Sequence, residues 1–589
     1  MRRMLHRSPS GRRSLVATAC LVCACGTSTE AGNGGPDASV ADGATTGDGA
    51  TGGSGSSSGS ASSSGSGSSS GSGSSSGSSP GDAGAGAGTS VLQFHVSSSR
   101  DGVYTDPTMT TTGAAATKAL AHALTLDTTF NPTITGNVYA QPLYVAGSGP
   151  GGADTFVVVT EQNHVMAIDG AGATVWEHPS SASDPVNYGA PVTGVGAALG
   201  CGNVDPLGIT GTPVIDTSTS PPTVYFDAMT TTGGTPAHKI YAVSLADGSI
   251  KSGWPVTVDS AVPGFTSKGQ NERGALTLLD GVVYVPYGGH YGDCGTYYGW
   301  VVGVNASNPT SVKAFAVASM FPMGTAAARQ GGIWAVGGAA SDGTSLFVAT
   351  GNTGGATTWS GGEAVLRLAQ GPAYTNTTAN EFYPTEWAMD DTRDQDMGGA
   401  NPVVFDMKGA DGGVQHLVAA VGKDGYLYVL DRNNLGGMAG QLSRTAVAPQ
   451  GTGGAGALNA GPAVYTTSQG TYMAYRINTG PGTGCPSGGA SRSIGVARIA
   501  GSPPTATVVW CSAETGLGSP MVTTTGSGDV IVWDASTHLY GYDGDTGAKV
   551  YAGTDTMASA MHYFNTPIDA AGRIVIAGSA PPRLYMFKP

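Results

Sequence analysis

The chain has 589 residues, a net charge of −14, 96 glycines and only 11% charged residues. That length asks for several domains or a repeat array, and a charged share well below the usual ~25% suits a protein of many turns and few helices. The acidic balance, with no basic cluster beyond the first residues, excludes a partner read through its phosphate backbone, such as DNA or RNA.

Residues 1–24 read as an export signal. Arg2, Arg3, Arg7, Arg12 and Arg13 precede an apolar run from Ser14 to Ala24. At about eleven residues the run suits a cleaved signal and is too short to span a bilayer. It ends Leu21-Val22-Cys23-Ala24-Cys25-Gly26, which resembles a bacterial lipoprotein processing box. The resemblance implies lipidation at Cys25 and, with Gly26 where a retention signal would have Asp, an outer-membrane destination. Cys20 is the alternative acceptor, and an ordinary cleaved signal the alternative fate. Arg12-Arg13 also loosely resembles a twin-arginine signal. Residues 25–90 are Gly, Ser, Ala, Thr and Asp with almost nothing apolar, so the sequence predicts a disordered tether. A Gly/Ser coil of that length spans roughly 45 Å.

From Val91 to Pro589 one unit of four short strands recurs about eight times. Phe156–Thr160, His164–Ile168 and Thr174–Glu177, with Gln141–Val145 before them, form the clearest copy. Most first strands open on proline: Pro142, Pro213, Pro402, Pro462, Pro520 and Pro567. Proline lacks an N–H and belongs at a strand start or sheet edge. The third and fourth units are expected to open at Gly274-Ala275-Leu276 and Ile333-Trp334-Ala335. The last unit lacks an outer strand, which Ala123–Phe130 can supply. Closure by both termini removes the open edge, so the expected fold is all-β: an eight-bladed propeller of four-stranded antiparallel blades.

Val165-Met166-Ala167-Ile168-Asp169 with Gly172 and Trp176, and less completely Tyr241 to Leu245 with Gly248 and Trp254, resemble the repeat of PQQ-like, quinoprotein alcohol dehydrogenase-type β-propellers. The resemblance covers about Val91 to Pro589 and implies fold rather than activity. Catalytic members would present an adjacent Cys-Cys disulfide, a Trp floor under the quinone, and calcium held by Glu, Asn and Asp. No adjacent Cys pair lies in this folded region, and no CxxCH haem motif is present. Trp334, expected in an inner strand, is the candidate for a channel floor. Eight-bladed lipoproteins of outer-membrane assembly machinery are similar in outline.

With blade strands ordered a-b-c-d, the long connections (residues 179–209, 259–273, 286–299, 351–363, 381–399, 441–458 and 477–492) are all d–a or b–c. One face is therefore elaborated, which is where binding usually sits. Cys201 with Cys294, and Cys485 with Cys511, are the expected disulfides of an exported chain. Metal ligation with His290 is the alternative, although no CxxC zinc spacing is present. Asn203, Asp205, Asn271, Glu272, Arg273, His290, Tyr291 and Asp293 gather on the same face. Arg273 is expected either in an ion pair with Asp205, Glu272 or Asp293, or in a pocket for a small polar ligand or peptide carboxylate rimmed by His290 and Tyr291. Asp390, Asp391, Asp394 and Asp396 would be ligands for a hard cation such as calcium, or simply a solvated loop.

The functional expectation is a non-catalytic, lipid-anchored, monomeric scaffold of the cell envelope. It would bind an envelope protein, peptide or glycan through the elaborated face, with no resident cofactor. The alternative is a PQQ- or calcium-dependent oxidoreductase.

Overall fold

The computed structural model describes residues 89–109, 124–320, 330–409, 412–449, 458–478, 482–486, 493–526 and 528–589. The export signal, Cys25 and the tether up to residue 88 lie outside the described residues, as does Ala123.

Eight sheets follow one another along the chain, each built on four antiparallel strands, and three of them take up a short fifth strand. In the first, Leu143–Val145, Thr155–Val159, Val165–Asp169 and Thr174–His178 run from inside to outside. The second and third strands are buried along most of their length, while the fourth is partly exposed. Each sheet packs against neighbours on both faces: Val157, Val159 and Val165 share a core with Val224, Phe226 and Val243 of the second blade. Burial on both faces is why these strands read as apolar runs and not as alternation. The other inner strands are Val214–Asp216, Thr277–Leu279, Ala340–Ser341, Val403–Lys408, Ala463–Thr467, Leu517–Thr524 and Ile568–Asp569.

The repeat's Trp and Gly join consecutive blades. Trp176 Nε1 donates to the Leu245 carbonyl of the second blade at 2.9 Å. Gly248, at φ +70°, lies under the indole, where a Cβ would approach the ring to 2.8 Å. Trp510 donates likewise to the Gly544 carbonyl of the seventh blade at 3.1 Å.

The ring closes as the sequence predicts. Thr125–Leu126 is the outer strand of the eighth blade, with Leu126 opposite Phe587. Four boundaries differ. The fourth inner strand is Ala340–Ser341, so Trp334 lies in the connection before it and not in a strand. Glu381–Tyr383 and Ser443–Ala446 are outer strands inside stretches expected to be loop. Pro286 belongs to the strand Val282–Gly289. Very short strands, or ones with little buried apolar content, leave almost no pattern to read.

One element is not foreseen. Residues 90–109 wind through the centre and touch the inner strand or its turn in every blade. Val91 pairs with Tyr144, and Ile215 N donates to Leu92 O at 2.8 Å. Arg100 reaches the third blade. Ser98, Ser99, Asp101 and Gly102 carbonyls accept from Ser341, Val404, Val464 and Val522 of blades four to seven. Val103–Thr105 then runs parallel to the inner strand Leu517–Thr524, with Val103 opposite Val522. Asp106 meets the Asp569 carboxyl of the eighth blade. The winding is tight: His95, Val96 and Arg100 have φ of 55°, 60° and 63°, a region few L-residues adopt. Both ends of this plug lie at a–b turns. Ala146 N donates to Ser90 Oγ at 3.0 Å, and a Cβ on Gly572 would come within 3.1 Å of Thr108 Oγ1. Its bend is at the opposite, elaborated side, where His95 N donates to Gln141 Oε1 at 3.0 Å.

Candidate functional site

The elaborated face is stapled twice. Cys201 and Cys294 form a disulfide with Cα atoms 5.8 Å apart, and Cys485 and Cys511 another at 5.6 Å. All four thiols are thereby used, which overturns the alternative of metal ligation with His290. The first staple joins the loop before the second inner strand to the b–c loop of the third blade, beside the channel mouth.

The polar residues predicted on this face separate into structural and available groups. Asp205 accepts from Gly194 N at 3.1 Å and Val195 N at 3.2 Å, at the start of the short helix Val195–Leu199. Asn203 is exposed on the same loop. Glu272 is buried and accepts from Gly211 N at 3.0 Å. Asp293 accepts from Tyr297 Oη at 2.6 Å. Asn271 is buried, its Oδ1 without a protein donor among the described residues. His290 is no rim residue: it is 2% exposed and donates through Nε2 to the Lys268 carbonyl at 3.2 Å. Burial, then the nearby His238, lowers its pKa to about 4, so it is neutral. Tyr291 is 59% exposed.

Arg273 therefore forms no ion pair with any of the three acidic residues expected for it, and of these Asp293 alone acts on it, from beyond ion-pair distance. Its guanidinium lies between two rings, 5.0 Å from the centroid of Trp334 and 5.0 Å from that of Phe564. Among the described residues no hydrogen bond or ion pair engages it, and its Nε is buried without an acceptor. Burial lowers its pKa from the ordinary arginine value. Cation–π contact holds the group, at about 0.5–2 kcal/mol per ring, without consuming its donors.

The surrounding rings come mostly from residues that sequence reasoning missed. His562 stacks on Tyr139 with centroids 4.1 Å apart, and Tyr563 and Phe564 pack beside it at 4.3 Å and 4.5 Å. Burial, then Arg273, lowers the His562 pKa to about 3, so this imidazole adds no second cation. Phe564 also packs with Ala275, Val336 and Phe94 of the plug, which closes the mouth from below. His562-Tyr563-Phe564 immediately precedes the Pro567 strand head, just as Arg273 precedes its own inner strand. That equivalence was the available signal.

The second predicted cluster does not converge. Asp394 and Asp396 bind Lys423 Nζ, at 3.0 Å and 2.5 Å, and Lys423 lies 5.0 Å over Trp334. Asp391 accepts from Thr353 and Gly355 backbone N–H groups. Asp390 is buried, and burial followed by Asp424 raises its pKa to about 7. Among the described residues no three His, Cys, Asp or Glu side chains form a metal-holding group.

No family model and no curated protein matches this chain. Solved structures do. A quinohemoprotein alcohol dehydrogenase from Pseudomonas putida HK5 superposes with TM-score 0.58 at 14% identity, over 85% of this chain and 80% of that one. The quinohemoprotein alcohol dehydrogenase of Comamonas testosteroni gives 0.57 at 16%, over 85% and 80%. A europium-containing methanol dehydrogenase gives 0.57 at 13%, over 85% and 98%. The fold is a PQQ-like β-propeller.

Fold likeness at this identity is not shared chemistry. In this PQQ-like propeller the indole that would floor a planar quinone carries both Arg273 and Lys423 against its ring. The carboxylates that would hold a metal are spent on Lys423 and backbone N–H groups. Glu161 and Glu272 are buried apart from them, and burial raises both; Glu161 reaches about 7. The residues present do not suit a quinone–metal pair, and no redox step follows from them.

Proposed function

We propose that the protein is a lipid-anchored scaffold of the cell envelope that binds a partner through its d–a/b–c loop face. The partner docks a carboxylate, from a peptide chain end or an acidic side chain, on Arg273 at the channel mouth. One observation carries this reading: the Arg273 guanidinium is stacked between Trp334 and Phe564, and no ion pair or hydrogen bond among the described residues engages it, Asp293 and Asp396 acting on it only from beyond ion-pair distance. An arginine fork with free donors matches a carboxylate bidentately, and leaving it unpaired is costly unless a ligand completes it. Tyr139 and Tyr563, packed with His562 and Phe564 beside it, offer apolar and hydroxyl contacts in the aromatic-rich manner of binding surfaces. The anchor and envelope location rest on the lipoprotein-like box at Cys25 and the low-complexity tether. The proposal includes a monomer, no resident cofactor and no nucleic-acid partner.

Calorimetry with a short peptide bearing a free C-terminal carboxylate, against its amidated twin, tests this. The free form binds, amidation weakens it at least about tenfold, and Arg273→Gln does the same. Equal affinity of the two forms, or indifference to Arg273→Gln, sinks the idea. A uronate oligosaccharide that binds in place of the peptide, and only with Arg273 intact, moves the partner from protein to glycan.

A further inference from the structure

The two arms that carry Arg273 and Trp334 are tied together by the plug. Arg100 Nη2 donates to the Leu276 carbonyl at 2.9 Å and to Thr277 Oγ1 at 2.7 Å, just beyond Arg273. Its Nε donates to the Ala339 carbonyl at 3.2 Å, just beyond Trp334. Its Nη1 donates to the Phe94 carbonyl at 3.0 Å, which fixes the bend of the plug itself. Phe94, fully buried, packs with Ala275, Val336 and Phe564. Phe564 is the second ring of the sandwich around Arg273. One segment thus touches the Arg273 arm, the Trp334 arm and the ring beneath the cation.

We infer that Phe94 and Arg100 are positioning residues of the ligand site. The plug sets the distance between the two arms and turns the channel mouth into a blind cup that fills only from the loop face. This rests on the reading of Arg273 given above. It adds that the ligand site is built partly by the stretch that continues from the tether, and that Ser90, where that stretch begins, lies at the opposite, a–b side. A partner therefore meets the cup on the face remote from the point of tethering.

The test uses iodide, an anionic quencher that Arg273 draws towards Trp334. The contribution of Trp334 is the difference between each protein and its Trp334→Phe counterpart. Phe94→Ala opens a cavity under Phe564 that larger side chains refill. It changes the quenching constant of Trp334 by about twofold or more and weakens the free-carboxylate peptide by about tenfold, because a site must be held within ~0.5 Å to work. Phe94→Leu restores both. If Phe94→Ala does not fold, Phe94→Val carries the same comparison. Unchanged quenching across the series overturns the inference even where thermal stability falls, since a purely structural Phe94 would move stability alone. If the wild-type protein takes no peptide, the reading of Arg273 fails, and the iodide series still decides whether the plug positions the mouth.

Discussion

Two arginines lie near the axis of this ring, and they are opposites. Arg100 is fully buried and gives its donors to carbonyl and hydroxyl oxygens on the plug and on the third and fourth blades. Arg273, near it in space through Ala275 and Leu276, gives its donors to none of the described residues and lies between two rings. The same side chain serves as a brace where the backbone turns its carbonyls inward, and as an open socket where aromatic faces hold it. Completeness of hydrogen bonding, more than burial or residue type, separates the structural arginine from the one proposed to bind a ligand.

Breaking the brace should have the largest effect. Arg100→Met keeps much of the stem but takes the side-chain donor from the buried Leu276 and Phe94 carbonyls, while the Ala339 carbonyl keeps only Thr277 Oγ1 at 2.8 Å. At about 1–3 kcal/mol for an unsatisfied buried group, a total loss of about 3–5 kcal/mol is expected. Urea unfolding of the whole chain measures it. A loss below about 1 kcal/mol would show that the carbonyls find other donors and that the plug is decoration.

The cation at the mouth has no ion-pair partner among the described residues, and Asp293 and Asp396 act on it only from longer range. Glu161 and Glu272 are two of the buried carboxyls on that side, and each accepts one backbone N–H, from Gly208 and Gly211. Burial raises Glu161 from its ordinary 4.5 to about 7. A carboxyl whose folded-state pKa lies above its unfolded value stabilises the fold fully below about 4.5. That contribution is lost as pH rises towards about 7, and it amounts to roughly 3 kcal/mol. Glu161→Gln, which keeps an oxygen for Gly208 N, should match the wild type near pH 4.5 and exceed it in stability above pH 7. Parallel pH profiles for the two proteins would mean that Glu161 is ionised in the fold.

How much of this was legible in the chain depends on whether a feature is local. The seam was, because Leu126 belongs to a short apolar stretch and the last unit visibly lacks a strand; Leu126 lies opposite Phe587. The staples were, because each pair of cysteines falls in long connections of one face. Arg273 and Trp334 were picked out singly, but their meeting depends on Phe564, far along the chain. The plug was not legible at all. Residues 91–109 have no period, since most of their order comes from carbonyls accepting one at a time from successive blades, and only Val103–Thr105 pairs with a partner strand. Asp390 and Asp391 misled for a simpler reason. They are neighbours on the helix Trp387–Arg393, and adjacent helical residues do not face the same way, so one turns to Asp424 and the other to Thr353.

The smallest expected change in stability is the sharpest test of the contrast. Arg273→Gln removes a desolvated charge that no described acceptor stabilises, while the stacked position between Trp334 and Phe564 can take a planar amide. Its stability should stay within about 0.5 kcal/mol of the wild type, or rise, while iodide quenching of Trp334 falls because the local positive charge is gone. A large destabilisation would instead make Arg273 a second brace, with its acceptors supplied by water or by segments beyond the described residues. In that case the difference between the two arginines, and the socket inferred from it, would disappear together.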